Sequence, residues 1–402
     1  MTTRHATLID VVHERSLTEG CTGIHHFNAA GAALPSSAVV NAVVGHLRLE
    51  EQEGGYEAAR MVTEQVEGIY GHAARLINAS PEEIALFDSA SSGLRNVVDA
   101  LRLSPGHRLL LSRSTYVSHA LHLMSLTRDK GVELVVLPNG PDGAADLVFL
   151  ESLLSEGRND VVCVAHVPTS SGLVEPAEAI GVLCARYRAV YILDATQSAG
   201  QLDLDVQRIG CDVLATTGRK FLRAPRGTGF TYVRQALLDT LAPWAPDVRG
   251  ASWESERSWS LTPAARKLES WESSVACRLG LGVALEEALG RGMPATELHL
   301  GAVADSLRAG LSSLPGVQLA DPEAGTSAIV TFTVPGRDQR SVGEALRQAG
   351  VSVLVVPASH AQYDLGARGL DAVVRASPHV YNDDADIAAL LSAVEKTAAA
   401  AA

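Results

Sequence analysis

Positive charge is in short supply in this 402-residue chain: 33 Lys and Arg stand against 46 Asp and Glu, a formal net charge of -13. Nucleic acid and anionic lipid both need a cationic surface, so neither is an expected partner, and a small-molecule ligand is. Cysteine is scarce too. The five present (Cys21, Cys163, Cys184, Cys211 and Cys277) form no CxxC pair and no metal-ligand spacing, and their odd number argues against a disulfide framework. The 13 histidines include no HExxH or comparable cluster, so no catalytic metal is expected. No run of about 18 uninterrupted apolar residues occurs, and the polar N-terminus lacks an export-type apolar core. A cytoplasmic protein without membrane contact is expected. Internal repeats and low-complexity linkers are missing as well. What is there, 47% apolar residues in 402, is enough for a large core and two domains.

Short apolar runs alternate with helical periodicity through most of the chain. Strands are expected at Ile84 to Phe87, Arg108 to Leu111, Glu133 to Leu137, Val161 to His166, Val190 to Leu193, Val213 to Thr216 and Gly229 to Val233. Several are nearly continuous apolar runs, as a sheet covered on both faces requires, and the helices between them imply an α/β fold with a mostly parallel, doubly wound sheet. Residues 8–17 and 36–78 read as helical, the second stretch interrupted at Gly54-Gly55. Pro243 to Pro263 gathers Trp244, Trp253 and Trp259 among charged residues. It reads as an active-site flap or subunit-contact loop, or equally as a surface loop that buries its tryptophans. Two long helices, 274–290 and 297–314, and a renewed alternation of strands and helices then form a smaller C-terminal α/β domain, ending in an Ala398 to Ala402 tail expected to fray. The organisation expected is an arm over 1–25 packing on the small domain, a large domain over 26–270 and the small domain over 271–402.

Ligands of doubly wound sheets sit beyond the carboxyl ends of the strands. Ser91, Tyr116, Thr169, Asp194 and Lys220 all fall there. Tyr191-Ile192-Leu193-Asp194 is an apolar strand running into a carboxylate; Thr216-Thr217-Gly218-Arg219-Lys220 is a strand end and a turn presenting a lysine. An amine able to form a Schiff base and an anion to face a ring nitrogen are what pyridoxal 5'-phosphate (PLP) requires. Asp88 to Asn96 places small hydroxyl residues where a strand turns into a helix, a natural phosphate seat, although an ordinary serine N-cap is the commoner use. His26 to Pro35 is rich in small residues, which suits either a close backbone approach or a plain loop.

These pieces, in this order, resemble the class V aminotransferase family of fold-type I PLP enzymes, from Phe27 to Asp386. The resemblance implies that Lys220, followed by Arg226-Gly227-Thr228-Gly229-Phe230, is the Schiff-base lysine. Asp194 then faces the pyridinium nitrogen, and Gln197, three residues on, approaches the ring's phenolic oxygen. Phosphate contacts are implied for Ala90, Ser91, Thr217 and Arg219, the last standing where the family usually has histidine and suited to phosphate by its fork. Tyr116 takes the place of a ring-stacking histidine, and Thr169 that of an asparagine near the ring oxygen. Arg375 is implied as the substrate-carboxylate arginine, with Asn28 as a secondary contact. Outside this frame an arginine at a strand end is more often a surface ion pair. Glu272 and Ser273 stand where some members reach the neighbouring subunit's phosphate, so a homodimer with shared active sites is implied.

Cysteine desulfurases of the family carry an acceptor thiol on a small-domain loop. The corresponding stretch here is Pro357-Ala358-Ser359-His360-Ala361-Gln362, with histidine where that cysteine is expected. The resemblance therefore implies elimination: a carbon-sulfur β-lyase acting on an S-substituted L-cysteine, releasing a thiol or sulfenate with pyruvate and ammonia. The steps Gly54-Gly55-Tyr56-Glu57 and Pro225-Arg226-Gly227-Thr228-Gly229 are closest to the isopenicillin N epimerase and ergothioneine-lyase side of the family, with the PLP enzymes of lincosamide assembly nearby. Decarboxylation-coupled oxidative deamination of an S-conjugated cysteine, transamination and epimerisation stay open. So does a non-catalytic binding protein, which the retention of Lys220, Asp194 and Arg375 disfavours.

Overall fold

Seven strands form the central sheet of the protein, whose computed structural model describes residues 9–322 and 325–399. They are β1 (Ile84–Phe87), β2 (His107–Leu111), β3 (Glu133–Val136), β4 (Asn159–Ala165), β5 (Val190–Asp194), β6 (Val213–Thr217) and β7 (Gly229–Val233), in spatial order β1-β7-β6-β5-β4-β2-β3. Only β7 is reversed, antiparallel to both β1 and β6. Side chains alternate between the faces of a strand. Leu110, Val162, Val164, Leu193 and Leu214 therefore join one core, and Leu109, Leu111, Val161, Ile192 and Val213 the other. Both faces are covered, which is why the strands read as unbroken apolar runs rather than alternating ones.

The helices that matter for the site are α1 (Val11–Ser16), α2 (Ser37–Glu53), α3 (Thr63–Ile77), α4 (Ala90–Ala100), α5 (Val117–Lys130), α6 (Val275–Arg291) and α7 (Asp384–Ala399). Local chemistry sets their ends. Ser36 caps α2 by accepting from Val39 N, Gly54 at φ 93° stops it, and Asn78 ends α3 in the left-handed region. The helical stretch expected over 36–78 is thus split where the glycines stand. Asp10 caps α1, so that helix starts later than residue 8, which lies outside the described residues.

A second sheet holds β10 (Gln318–Leu319), β11 (Val330–Thr333), β12 (Leu354–Pro357) and β13 (Ala372–Ala376), antiparallel in the order β10-β11-β13-β12. Leu390 and Val394 of α7 complete its core. Ala398 and Ala399 continue α7 instead of fraying, and residues 400–402 lie outside the described part. Helix α6 buries Leu281, Leu285 and Ala288 in the core of the central sheet, so the boundary expected at residue 270 falls inside the larger body. Between the sheets the Trp-rich stretch expected as a loop is a hairpin, β8 (Ala251–Ser255) with β9 (Ser258–Leu261), in which Trp253 faces Trp259. Its tryptophans are not buried: Trp253 is 83% exposed.

The N-terminal segment ties the two bodies together. Buried Glu14 accepts from Arg223 at 2.8 Å, and Arg15 donates to Asp386 at 2.6 Å. His25 and His26 add a short parallel pairing with Val351 and Ser352. The arm therefore packs on the larger body as well as the smaller one.

Burial holds the rings of His26 and His166 down at about 4. Unfolding returns them to about 6.5, so between those values the unfolded chain binds more protons and stability falls as pH drops, by roughly 1.4 kcal/mol per pH unit for each ring. Above about pH 6.5 these rings contribute no slope. His166→Gln should lessen the acid-side slope of the urea-unfolding free energy by about one ring's share; an unchanged slope would mean that the ring is already solvated in the fold.

Candidate active site

Parallel strands deliver their last residues to one edge of the sheet. Asp194 ends β5, Thr217 ends β6, and the chain after β4 runs through His166 to Thr169. On the same edge α4 begins just after β1, and α5 begins after the loop that leaves β2. A cleft of about 290 Å³ opens there, lined by Ala90, Ser91, Tyr116, Asp194, Thr217, Arg219 and Lys220 among the expected residues. Lys220 Nζ lies 5.9 Å from the centre of the Tyr116 ring.

The remaining expected residues divide. Arg375, on β13, donates to Thr169 Oγ1 at 2.5 Å and to its carbonyl at 3.2 Å, and its other nitrogen lies 3.5 Å from Asn28 Oδ1. Asn28, Thr169 and Arg375 are one cluster, which includes the cation nearest to Lys220 after Arg219 in effect on its charge. Gln197 is different. Its Nε2 donates to Ala30 O at 3.1 Å while its Oε1 is left without a partner, and it is not among the residues that line the cleft.

The small residues from Ala29 to Ala33 have a structural use. Ala33 N donates to Arg219 O at 2.9 Å, and Arg223 Nε donates to Leu34 O at 2.9 Å, so this segment lies directly on the lysine turn. A side chain at Gly31 would fall on the Asn28 amide. Gly200 sits at φ 91°, and a Cβ there would strike the backbone of Phe221, the residue after the lysine. The turn is held by backbone packed from two sides.

Two guanidinium groups, Arg219 and Arg226, and two carboxylates, Asp88 and Asp194, line the cleft beside Lys220. Lys220 is buried; burial first, then the Arg219 and Arg375 cations, push its amine well below the ordinary lysine value, with Asp194 opposing. Its neutral, nucleophilic form is favoured. Burial pulls Arg375 down to about 10, and no carboxylate pairs with Arg375 or Arg219 among the described residues. A buried guanidinium without an acid calls for an anion. Arg375 is one such place; a second, more open one is where half-buried Arg219 and exposed Arg226 line the cleft with Ser91 at the start of α4, an 11-residue helix whose dipole favours negative charge. Arg375 Nε, Thr196 Oγ1 and Gln197 Oε1 are buried without partners. A phosphate, a ring and an amino-acid carboxylate fit what these residues leave unsatisfied, so the donor set suits PLP.

Two side chains escaped the sequence reading. Arg226 lay within the quoted motif but had no role, and His119 was overlooked although it stands one helical turn after Tyr116. His360, in place of an acceptor thiol, is exposed in a short turn from Ala358 to His360. No cysteine lines the cleft. Cys163, Cys184 and Cys211 are buried, and burial raises their thiols, Cys163 and Cys211 to about 12.

Among known proteins, the family described as Aminotransferase class-V matches residues 24–390. A probable cysteine desulfurase of Halalkalibacterium halodurans is 26% identical over 383 residues, 92% of each chain. A probable hercynylcysteine sulfoxide lyase of Mycobacterium tuberculosis is 27% identical over 387 residues, 93% of this chain and 90% of the relative. In three dimensions the chain is similar to an apo cysteine desulfurase from Thermococcus onnurineus, with a TM-score of 0.89 at 23% identity over 98% of this chain and 99% of the other.

The chain has four lysines (Lys130, Lys220, Lys267 and Lys396), and a depressed amine is the one that condenses with an aldehyde near neutral pH. Borohydride reduction of the protein mixed with PLP should therefore leave an adduct at Lys220 by peptide mass analysis, and Lys220→Ala should leave none. An adduct confined to another lysine would overturn the assignment.

Proposed function

The chain belongs to the class V aminotransferase family and is a PLP-dependent enzyme, and from that premise we propose that it is a carbon-sulfur β-lyase acting on an S-substituted L-cysteine. The observation that carries this reading is a buried lysine, its amine pushed toward the neutral form, in a cleft that no cysteine lines, with the buried, acid-free Arg375 close enough to depress it further. Sulfur released at Cβ has no protein thiol to land on, so it leaves with its substituent. Likeness to a chain named as a hercynylcysteine sulfoxide lyase supports a substituted or oxidised sulfur in the substrate.

PLP, when bound, supplies an aldehyde that takes the substrate's amino group and a ring that accepts the electron pair left by loss of the Cα proton. Ala90, Ser91, Thr217 and Arg219, with Arg226, would hold the phosphate. Asp194 would set its carboxylate against the ring nitrogen, and Tyr116 would cover one face of the ring. Arg375 grips the substrate carboxylate by its fork, with Thr169 fixing one arm of the guanidinium and Asn28 near the other. Lys220 Nζ, uncharged, takes the Cα proton. The Cβ–S bond breaks with both electrons going to sulfur, and water completes the balance: R–S–CH2–CH(NH3+)–COO- plus H2O gives RSH, pyruvate and NH4+. A substrate sulfoxide releases a sulfenic acid in place of the thiol.

The reading includes a cytoplasmic homodimer. Residues 29–53 are long and apolar enough to cross a membrane, yet little of this stretch is buried within the chain. Val40, Val44 and Leu47 of α2 are exposed, with Met61, Trp271 and Tyr56, the last at 71%. So much apolar surface on one side suits a second copy better than water. A depression of about 750 Å³ on that side is lined by Tyr56, Glu57, Glu272, Ser273 and Arg278, where contact with the neighbouring phosphate is expected. Sedimentation at micromolar concentration should give twice the chain mass; a monomer would remove the shared-site part of the reading.

The deciding experiment is product analysis of PLP-loaded protein with several S-substituted L-cysteines and one cysteine sulfoxide. Pyruvate with free thiol or sulfenate is expected. An aldehyde with carbon dioxide would favour decarboxylation-coupled deamination, a keto acid with pyridoxamine phosphate transamination, and inversion alone epimerisation. Arg375→Lys, which keeps the charge and loses the fork, should raise KM about tenfold or more with a smaller change in kcat; an unchanged KM would remove the carboxylate role.

A further inference from the structure

Asp194 is approached from behind by a side chain for which the proposed chemistry has no use. Tyr116 immediately precedes α5, and His119, in its first turn, brings Nδ1 to 3.5 Å from Asp194 Oδ2. The other carboxylate oxygen is held separately: Thr196 N donates to Oδ1 at 3.0 Å. The His119 side chain is only 12% exposed. Beyond it lies a void of about 20 Å³, bounded by His119, His122, Thr115 and Asp194 among apolar side chains of α4, α5, β4 and β5. That volume admits one water, and the polar groups around it supply the partners a water needs. On the far side His122 Nε2 lies 3.3 Å from Asp99 Oδ1, a partly exposed carboxylate on α4. The other titratable groups around His119 are Arg95 on α4 and Cys163 on β4.

The chemistry of this position is constrained. Burial disfavours a proton on His119, and Asp194 only partly offsets this. A neutral imidazole has one N–H. Directed from Nδ1 at Asp194 Oδ2, 3.5 Å away, that N–H can donate to the carboxylate without adding a full positive charge to the site. An imidazolium would instead neutralise the anion that the ring nitrogen needs. We propose that His119 is the positioning residue for Asp194, a neutral Nδ1–H donor that fixes Oδ2 and holds its charge beneath the cofactor ring, while the void and His122 accommodate Nε2. The proposal rests on the reading of Asp194 as the partner of the ring nitrogen.

The test compares wild type, His119→Leu, His119→Asn and Asp194→Ala as loaded and unloaded proteins. Two quantities are read: the PLP dissociation constant, from fluorescence of the unloaded protein, and the pH at which the absorbance of bound PLP changes. His119→Leu should weaken PLP binding about tenfold and move the absorbance transition in the same direction as Asp194→Ala, whereas His119→Asn, which keeps a short donor, should recover most of both. Loss of packing alone would lower thermal stability without moving the absorbance transition. If Asp194→Ala changes both readings and His119→Leu changes neither, the inference falls while the Asp194 reading stands. If Asp194→Ala changes neither, both fall. Should the leucine variant fail to fold, nitrogen NMR of His119 in the unloaded wild-type protein decides: a neutral ring protonated on Nδ1 at neutral pH is expected, and an imidazolium or the opposite tautomer overturns the proposal.

Discussion

Uncompensated positive charge, buried around one lysine, is the constraint on which the rest of the site depends. Buried Arg375 and half-buried Arg219 flank Lys220 with no carboxylate of their own, and Asp194 opposes them at the lysine. In the isolated chain that arrangement is costly, because a buried guanidinium without a carboxylate loses its hydration and gains nothing in return. The cost is also what makes the site selective. On the proposed reading, a phosphate at the start of α4 and a substrate carboxylate at Arg375 would recover the lost interactions, and a neutral molecule would not. Burial, and after it the same cations, favour the uncharged form of Lys220, so the environment that suits the ligands also prepares the nucleophile.

Holding those groups in register falls to backbone rather than to long side chains. The lysine turn receives a hydrogen bond from Ala33, is overlaid by the turn at Gly200, and continues into Arg223, whose guanidinium is held by Leu34 O, Glu14 and Thr18. Arg223 itself has a positive φ of 62°. A non-glycine residue in that region costs of order 1 kcal/mol, and the three contacts on its side chain are what keep it there. The N-terminal segment therefore serves the site twice, through Asn28 beside Arg375 and through the residues that clamp the turn. His25, Arg15 and Asn28 also touch the smaller sheet or α7, so the same segment contacts both bodies.

The strands and the lysine-carboxylate pair were legible in the sequence because burial on both faces writes a short unbroken apolar run, and because strand ends are where a parallel sheet presents its ligands. Spacing alone does not determine direction: Gln197 stands at the expected distance from Asp194, and its Nε2 turns to Ala30, a contact set by a segment 167 positions away. The hairpin at Ala251 to Leu261 reads as a loop in the sequence because its tryptophans sit among charges with no buried face to set a period. Helix α6 follows the apparent domain boundary but packs backwards on α2 and α3, and no local signal records that. His119 did leave a signal, since a polar residue one turn after Tyr116 must share its helix face, and attention to motif positions alone passed over it.

The same reasoning bears on the fate of sulfur. A thiol acceptor must be close, mobile and ionisable, and the three cysteines fixed in or against the central sheet fail on each count: they are buried, their thiols are raised by burial, and none opens on the cleft. The segment where family members carry that thiol is here a short turn running directly into a second one, from Gln362 to Gly366, anchored by Ala361 and Leu365 in a small apolar cluster and by Asp364 accepting from Ser170 at 2.5 Å. An anchored segment with an exposed histidine is poorly suited to carry sulfur away from a cleft whose lining it does not join.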